Sequence, residues 1–258
     1  FAAETHVDRS IINVNDFIRT NVEGTRVIID AVRTHKIPRF VHISTDEIYG
    51  DVSKGCTREY SALKPSNPYS ASKAAADLLV QSYMRTHCLP AIIVRGSNNY
   101  GPFQYPEKLI PLAITNLLEG EKIPIHGTGE HIRSWLHVHD FCSAIDCIMH
   151  RAPLLSVYNV AGEEKTNLQI VTMIARHLSK SIEQHKIHVN DRPGADMRYA
   201  LSDEKLKKEL QWAPRCALAT HLKETVAWYQ TNEWWWRALK RKKQFLTHYE
   251  KQARGQWF

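Results

Sequence analysis

The sequence predicts an α/β protein built on a parallel sheet. Short, continuous apolar runs at 40–43 and 90–94 are typical of strands that are buried on both faces of such a sheet. Segments with apolar residues at helical spacing lie before and between these runs, at 15–35 and 71–83. Polar and ionisable side chains follow the first run. This indicates a ligand site, because ligands of α/β sheets bind beyond the carboxyl ends of the strands.

The predicted elements follow one another with recognisable boundaries. The 15–35 helix contains Gly24, where another backbone can approach closely, and the Lys-Ile-Pro sequence at 36–38 stops it. After the first strand, a polar loop with Pro65 and Pro68 leads into the helix that carries Tyr69. The remaining predictions are strands at 90–94, 123–125 and 156–160, and helices at 106–119, 139–150, 167–181, 203–210 and 221–246.

Tyr69 and Lys73 occupy positions i and i+4 of the predicted helix, so their side chains share one face. A free phenol, with a pKa near ~10, is a poor base at neutral pH unless a nearby cation favours the phenolate. The Lys73 ammonium can supply that cation, and the hydroxyls of Ser44 and Thr45 can hold a substrate oxygen against the phenol. The alternative, which the Tyr-x-x-x-Lys spacing alone leaves open, is an ordinary exposed i,i+4 pair.

Composition argues against several classes of function. Apolar residues make up 43% and charged residues 24% of the 258 residues, and no apolar run approaches the ~18 residues of a membrane span. The five cysteines lack C-x-x-C spacing, so we expect reduced thiols, no disulfide and no metal site. The net charge of +7 owes much to 237–243, which we interpret as a solvated basic helix. We therefore expect a soluble, cytoplasmic protein with no nucleic-acid or membrane partner.

Several motifs together resemble one enzyme superfamily. Thr45, Tyr69 and Lys73 resemble the Ser/Thr, Tyr and Lys set of the extended short-chain dehydrogenase/reductase superfamily. The triplet Thr45-Asp46-Glu47 is similar to that of the nucleotide-sugar 4,6-dehydratases of the dTDP-glucose type, whereas the related epimerases lack an Asp-Glu pair at this point. Further similar segments are FAAETHVDRS at 1–10, RGSNNYGP at 95–102, YPEKLIP at 105–111 and DRPGAD at 191–196.

The resemblance implies a Rossmann-like parallel sheet that binds NAD and a smaller, mainly helical lobe that binds a nucleotide sugar. On this basis we assign 1–102 and 136–161 to the NAD-binding domain, and 103–135 and 162–258 to the nucleotide-sugar lobe. No glycine-rich loop of the G-x-x-G-x-x-G type joins a strand to a helix in this sequence. In the family that loop lies at the very N-terminus, so we expect a truncated chain that lacks the first strands. The resemblance also implies a homodimer, built by the Tyr69 helix and the helix before it.

The implied reaction removes water across C5 and C6 of a nucleotide-linked glucose, with dTDP-glucose as the expected substrate, and gives a 4-keto-6-deoxy sugar. Tyr69 would take the proton of the 4-hydroxyl while NAD accepts hydride from C4, because the C5 hydrogen becomes acidic only next to a ketone. Glu47 would then remove that hydrogen and Asp46 would protonate the departing 6-hydroxyl, after which hydride returns to C6. The implied catalytic residues are Thr45, Asp46, Glu47, Tyr69 and Lys73.

The roles implied for Asp46 and Glu47 each require a particular local structure. Asp46 must keep a proton near neutral pH, which a neighbouring carboxylate and a dry pocket favour. Adjacent strand residues point to opposite faces. Both acids can therefore enter one site only if the backbone leaves strand geometry right after Thr45.

The resemblance also assigns binding residues position by position. The residues implied to contact NAD are Ala2, Ala3, Thr20, Tyr69, Lys73 and Asn99. The residues implied to hold the nucleotide sugar are Glu4, Thr45, Asn98, Lys108, Leu109, Pro124, His126, Arg133, Asn167, Arg192 and Asp196. Arg133 and Arg192 suit a pyrophosphate because guanidinium forks match its oxygens. His126 stands where bacterial members commonly have tyrosine, so the choice between dTDP-glucose and UDP-glucose stays open.

Two other interpretations remain at this stage. A nucleotide-sugar epimerase or decarboxylase of the same superfamily needs neither Asp46 nor its pairing with Glu47. A catalytically inert fragment is also consistent with the missing glycine loop, since the NAD diphosphate would lose the helix N-terminus that holds it.

Overall fold

A three-stranded parallel sheet lies between two layers of helices in the computed structural model, which describes residues 1–254. The strands are β1 (Phe40–Thr45), β2 (Ala91–Gly96), β3 (Asn98–Tyr100), β4 (Ile123–His126), β5 (Ile132–His137), β6 (Ser156–Val160), β7 (Glu163–Thr166) and β8 (Lys186–Val189). The α-helices are α1 (Val7–Ile12), α2 (Asn15–Phe17), α3 (Gly24–Thr34), α4 (Pro68–His87), α5 (Leu109–Glu119), α6 (Val138–Arg151), α7 (Asn167–His177), α8 (Ile182–His185), α9 (Glu204–Leu210), α10 (Leu218–Thr231), α11 (Glu233–Lys240) and α12 (Lys243–Arg254). A π-helix, Ile18–Glu23, joins α2 to α3, and a 3-10 helix, Asp46–Tyr49, follows β1.

The central sheet has the strand order β1–β2–β6, and its strands are parallel. Thr45, Gly96 and Val160 lie side by side across it, so the carboxyl ends of the strands meet at one edge. Every residue of β2, the middle strand, is buried, which explains why its sequence begins as an unbroken apolar run. The strands predicted at 40–43, 90–94 and 156–160 are confirmed.

Helices cover both faces of this sheet. On one face, Val32 of α3 and Val80 of α4 pack with Ile93 of β2. On the other face, Ile148 of α6 and Leu206 of α9 lie in one cluster with the opposite side of β2. Burying each such side chain stabilises the fold by about 1.5–3 kcal/mol relative to leaving it exposed. Packing on both faces holds the strand ends, and thus the site built on them, in fixed positions.

A second core joins most of the remaining helices. β4, α5, α7, α10 and α11 pack around side chains that are fully buried, among them Ile114, Ile174 and Leu222. β3, β5 and β7 form a mixed sheet in which β7 is antiparallel to β5, and β4 pairs in parallel with β8. The helices predicted at 106–119, 139–150, 167–181 and 203–210 are confirmed, with different end residues.

The single long helix predicted at 221–246 is wrong. The chain forms α10, α11 and α12 instead, and the first break lies at Asn232, whose backbone leaves helical geometry. Trp236 is fully buried after this break, and its indole nitrogen donates to the Tyr229 carbonyl oxygen at 2.8 Å. The bend lets a large aromatic side chain enter the second core, which outweighs the local preference for one straight helix.

The sequence also missed several elements. The helix predicted at 15–35 is interrupted by the π-helix, and α1, β3, β5, β7, α8 and β8 were not predicted. β7 reads Glu-Glu-Lys-Thr, so its strand geometry comes from pairing with β5 and not from β-propensity. Residues 255–258 of the predicted nucleotide-sugar lobe lie outside the described residues. Within 1–254, no helix combines the length and the apolar character needed to cross a membrane.

Candidate active site

The end of β1 at Thr45 begins the candidate site. The Thr45 backbone is still extended, and the chain then turns at once into the 3-10 helix. The Thr45 side chain caps this turn by accepting a hydrogen bond from the Glu47 backbone nitrogen at 3.3 Å. Successive side chains of a 3-10 turn do not point to opposite sides as those of a strand do. Both Asp46 and Glu47 are buried in this turn. The condition that the backbone leaves strand geometry right after Thr45 is therefore met.

Tyr69 lies in the first turn of α4. The helix begins with Pro68, and Asn67 caps it through a reciprocal capping box with Ser70. The Tyr69 amide donates to the side-chain oxygen of Ser10 at 3.0 Å, which ties the start of α4 to α1. Capping and this contact fix the position of the phenol, whose ring is 7% exposed.

The expected pairing of Tyr69 with Lys73 is only partly present. The Lys73 ammonium donates to the Ile43 carbonyl oxygen of β1 at 2.6 Å, and burial lowers the pKa of Lys73 to about 8. Burial, and then the charge of Glu47, raise the pKa of Tyr69 above its ordinary value, while a hydrogen bond with the Thr45 hydroxyl opposes the rise. The phenol is therefore protonated in this structure. Lys73 is not among the groups that shift the pKa of Tyr69, so the prediction that its ammonium favours the phenolate stays a prediction.

Asp46 has the properties of an acid that keeps its proton. Burial, and then the charge of Glu47, raise its pKa from 3.8 to about 7, and Arg133 opposes this rise only in part. Its Oδ1 atom accepts a hydrogen bond from Thr45 Oγ1 at 3.2 Å. Its Oδ2 atom is buried and has no hydrogen-bond partner within residues 1–254. Such surroundings favour a neutral carboxyl group, so Asp46 can donate a proton near neutral pH.

A cavity of about 670 Å³ adjoins Thr45 and Tyr69. Its lining includes every residue that was expected to contact NAD: Ala2, Ala3, Thr20, Tyr69, Lys73 and Asn99. The buried side-chain oxygens of Ser97 and Asn99 belong to this lining and have no hydrogen-bond partner in the described part of the chain. A ligand that brings its own hydrogen-bonding groups, as a dinucleotide does, therefore fits this cavity.

A smaller cavity, of about 150 Å³, lies beside Glu47. Most residues expected to hold the nucleotide sugar line it, namely Asn98, Lys108, Leu109, Pro124, His126, Arg133, Asn167 and Arg192. Thr5 belongs to the linings of both cavities, so the two adjoin at this residue. Glu47 lines the smaller cavity, whereas Asp46 lines neither of the two.

Three residues from the expected substrate set lie outside the smaller cavity. Thr45 lines the larger one, and Glu4 lines a separate surface pocket. Asp196 is buried, and its Oδ2 atom accepts hydrogen bonds from the hydroxyls of Ser66 and Tyr199. Asp196 therefore contacts other side chains and does not line the smaller cavity in this structure. Its contact with substrate stays a prediction.

Cationic side chains crowd the smaller cavity. Burial alone would raise the pKa of Asp8, but the Arg192 guanidinium, 3.1 Å away, outweighs it and the pKa falls to about 2. Burial lowers the pKa of Lys108, whose ammonium donates to the Thr5 carbonyl oxygen at 2.7 Å. The positive charges of Arg192, Lys108 and Arg133 together suit the negative charges of a pyrophosphate.

His6, Asp8 and His248 form a buried group whose potential ligand atoms lie within 4.8 Å of one another. Burial, and then the charge of Lys108, lower the pKa of His6. Asp8 is paired with Arg192. The positive charges of Lys108 and Arg192 disfavour a metal ion here, so we interpret the group as a support for the Arg192 side chain. The absence of a metal site stays a prediction.

Sequence reasoning missed several residues that the structure places at the site, among them Asp8 and Tyr199. Asp8 lies in the 1–10 segment that resembles the family, so that segment is the signal that could have found it. Tyr199 contacts Glu47 across 152 positions of the chain, and no local pattern marks it.

Comparisons with known proteins agree with this geometry. The family model described as GDP-mannose 4,6 dehydratase matches residues 1–225. The dTDP-glucose 4,6-dehydratase of Streptomyces niveus is 47% identical over 241 residues, which are 93% of this chain and 71% of that protein. The enzyme of the same name from Streptomyces antibioticus is 45% identical over 243 residues, covering 94% of this chain and 72% of the relative.

Solved structures give the same result. DesIV, the dTDP-glucose 4,6-dehydratase of Streptomyces venezuelae crystallised with NAD bound, matches with a TM-score of 0.91 and 41% identity, over 93% of this chain and 74% of that one. The UDP-glucuronic acid 4-epimerase of Bacillus cereus matches with a TM-score of 0.85 over 90% of this chain and 74% of that one, but at 24% identity, so it shows only the shared fold. The expected Rossmann-like fold is confirmed, and the chain belongs to the dTDP-glucose 4,6-dehydratase family.

Proposed function

We propose that this chain dehydrates a nucleotide-linked glucose, with dTDP-glucose as the expected substrate, to the 4-keto-6-deoxy sugar and uses NAD as its cofactor. The observation that carries the proposal is the buried pair of Asp46 and Glu47 beside Tyr69, in which the pKa of Asp46 is about 7. An epimerase or a decarboxylase has no use for a carboxyl group that keeps its proton at this position.

The larger cavity supplies the residues that would hold NAD. Lys73 and Asn99 offer polar groups, and Ala2, Ala3 and Thr20 complete the lining that was expected from the sequence. When bound, NAD supplies a hydride acceptor and a positive charge in the cavity that Tyr69 lines. The raised pKa of Tyr69 means that the phenol needs such a cation nearby before it can act as a base.

In the first step, Tyr69 takes the proton of the 4-hydroxyl while Thr45 holds the substrate oxygen in place. The ketone that forms at C4 makes the C5 hydrogen acidic. Glu47, at the edge of the smaller cavity, removes that hydrogen as a proton. Asp46 gives its proton to the 6-hydroxyl, which leaves as water. The C5–H and C6–O bonds break, and a C5–C6 double bond forms, which is removed when hydride returns to C6 and a proton returns to C5.

The smaller cavity would bind the rest of the substrate. Lys108, Arg133 and Arg192 provide the charges that a diphosphate needs. His126 lies in the same lining, and burial lowers its pKa, so a neutral imidazole faces the base of the nucleotide. A neutral ring accepts either pyrimidine, which is why both dTDP-glucose and UDP-glucose belong in the test.

Three broader expectations stay part of the proposal. The two lobes, with the NAD-binding domain at 1–102 and 136–161, are supported by the separate cores around β2 and around α5. A cytoplasmic location is supported by five cysteines that form no disulfide. A homodimer through α4 is supported by Leu78, which is 53% exposed on that helix.

The reaction is tested by incubating the purified chain with NAD and with either sugar nucleotide in D₂O. Mass spectrometry should find a product lighter by one water, with deuterium at C5, because the proton removed there exchanges with solvent. Tyr69→Phe should abolish the product, and Tyr83→Phe, on the same helix outside both cavities, should not. Recovery of an epimer of the substrate with no loss of water would contradict the proposal.

A further inference from the structure

The C-terminal helix α12 packs against the wall of the smaller cavity. This helix lies beyond residues 1–225, which the family model matches, so membership of the family does not account for it. Its residue His248 is 6% exposed and contacts the His6 ring edge to face, with 4.4 Å between the ring centres. His6 lines the smaller cavity, so α12 reaches the wall of that cavity through His248.

Aromatic side chains hold α12 in this position. Phe245 is fully buried, and its ring centre is 6.5 Å from that of Tyr105 and 5.7 Å from that of Tyr249. The Tyr249 hydroxyl accepts a hydrogen bond from the side-chain nitrogen of Asn116, on α5, at 2.9 Å. The helix is therefore docked on the second core, which fixes the position of His248 beside His6.

Asp8 connects this wall to a cation of the proposed substrate site. Its Oδ1 atom is 3.1 Å from Arg192 Nη1. Its Oδ2 atom is 3.9 Å from His6 Nδ1 and also 3.9 Å from His248 Nε2. Burial lowers the pKa of His6 well below its ordinary value, so this ring is neutral. Arg192 is therefore the stronger partner of the carboxylate, and Asp8 holds its guanidinium at the cavity lining.

His248 also faces a surface groove between α1 and α12, which we name the outer groove. The outer groove has a volume of about 560 Å³ and is lined by Arg9, Ile12, Lys243, Gln244, Thr247 and His248. Asp8 is 1% exposed and lines the smaller cavity but not the outer groove. His248 therefore separates the buried carboxylate from the solvent in the outer groove.

We propose that His248 is a positioning residue for the nucleotide sugar: it shields Asp8 from water, and Asp8 holds Arg192 in place for the diphosphate. The inference rests on the nucleotide-sugar site of the proposed function, but not on the dehydration that follows binding. A carboxylate shielded from water attracts a guanidinium more strongly, because the local dielectric constant is low. Water beside Asp8 would weaken this pair, and the diphosphate would then have to order the Arg192 side chain on binding.

His248→Ala tests the proposal, because it opens the outer groove to Asp8. Calorimetry of the purified full chain with dTDP and with UDP measures the binding of each nucleoside diphosphate. The Kd should rise about 2- to 10-fold, which is the effect of ordering one long side chain on binding. KM for the nucleotide sugar should rise by the same factor with kcat unchanged. His248→Gln, which keeps a similar volume and an N–H group, should restore most of the affinity.

A double-mutant cycle tests whether His248 acts through Arg192. Arg192→Lys removes the guanidinium fork, so adding His248→Ala to this variant should change the Kd much less than it does in the wild type. His137→Ala is the matched control. His137 is also a buried histidine with an edge-to-face ring contact, 5.2 Å from Tyr100, and it lines neither cavity. This variant should leave the Kd unchanged, and thermal melting compares its loss of stability with that of His248→Ala.

The outcomes separate the inference from the proposed function. A wild-type chain that makes no 4-keto product overturns the proposed function, whereas a Kd that rises in His248→Ala and recovers in His248→Gln still supports the inference. An unchanged Kd in His248→Ala overturns the inference even if the wild type makes the product, and so does a wild type that binds neither diphosphate. An equal rise of the Kd in His137→Ala, or in the Arg192→Lys background, also overturns it, because the effect would then not act through Arg192.

Discussion

Asp46 shows at the residue scale how burial changes the role of a carboxyl group. Its Oδ2 atom has no partner within residues 1–254, and its neighbour Glu47 adds a like charge. A group whose pKa is higher in the folded state binds its proton more tightly there. The stability that this proton contributes is fully present below about pH 4 and is lost as pH rises through about 7.

Asp46→Asn should therefore separate stability from activity. The variant should lose about 10²- to 10⁴-fold in kcat, because an amide cannot protonate the leaving hydroxyl. Its melting temperature relative to the wild type should rise between pH 5 and pH 8, equivalent to a gain on the order of 2 kcal/mol. Calorimetry at both pH values measures this, with Asp30→Asn, on the partly exposed face of α3 beside Arg26, as the control for a general effect of the substitution. A variant that is equally destabilised at both pH values would contradict the burial argument.

Arg192 gives a second prediction at this scale. Its guanidinium is paired with Asp8 and lines the smaller cavity, where a fork of donors suits a diphosphate. Arg192→Lys keeps the charge but loses the fork, so KM for the nucleotide sugar should rise about 10-fold while kcat changes little. Steady-state kinetics measure this. Arg198→Lys, which loses a similar fork to Glu164 away from the cavity, should leave KM unchanged.

At the scale of elements, the turn after β1 decides whether two adjacent acids can share one site. Gly50 ends this turn with a φ of +74°, and a Cβ atom there would lie 2.1 Å from the Lys64 carbonyl oxygen. Glycine is therefore required both by the backbone conformation and by the close approach of another segment. The sequence contains this glycine, but only the structure shows what it meets.

Gly50→Ala should damage the site more than the same substitution at Gly120, another glycine with a positive φ. Gly120 has a φ of +76° with open space around it, so Gly120→Ala should cost only about 1–2 kcal/mol of stability. Gly50→Ala adds a clash that must move the turn, so it should cost more and also lower kcat. Chemical denaturation and initial rates of both variants make the comparison, and equal effects of the two changes would show that the turn does not position the acids.

The elements also show which parts of the fold the pattern of apolar residues predicts and which it does not. The core strands were predicted because burial on both faces imposes an unbroken apolar run, as at Ile92, Ile93 and Val94 of β2. β7 and the break at Asn232 were missed because their geometry comes from a partner strand and from the burial of Trp236. Local sequence carries no information about those partners.

At the scale of the whole molecule, the proposed homodimer is the expectation most easily tested. Leu78 is 53% exposed on α4, the helix whose first turn carries Tyr69. Leu78→Glu should place a charge in the proposed interface and convert a dimer to a monomer, as measured by sedimentation. Leu154→Glu, at a residue that is 40% exposed near the end of α6, should leave the assembly unchanged. A wild-type chain that sediments as a monomer would remove the dimer from the proposal.

The sequence by itself determined the fold class, the strands of the central sheet and the family. These features are local or nearly so, and side-chain periodicity and short motifs encode them directly. The tertiary structure decided that Lys73 donates to the Ile43 carbonyl oxygen, that Asp46 holds its proton near pH 7, and that Tyr199 reaches Glu47. Each of these depends on burial and on contacts between distant segments, which arise only when the chain is packed.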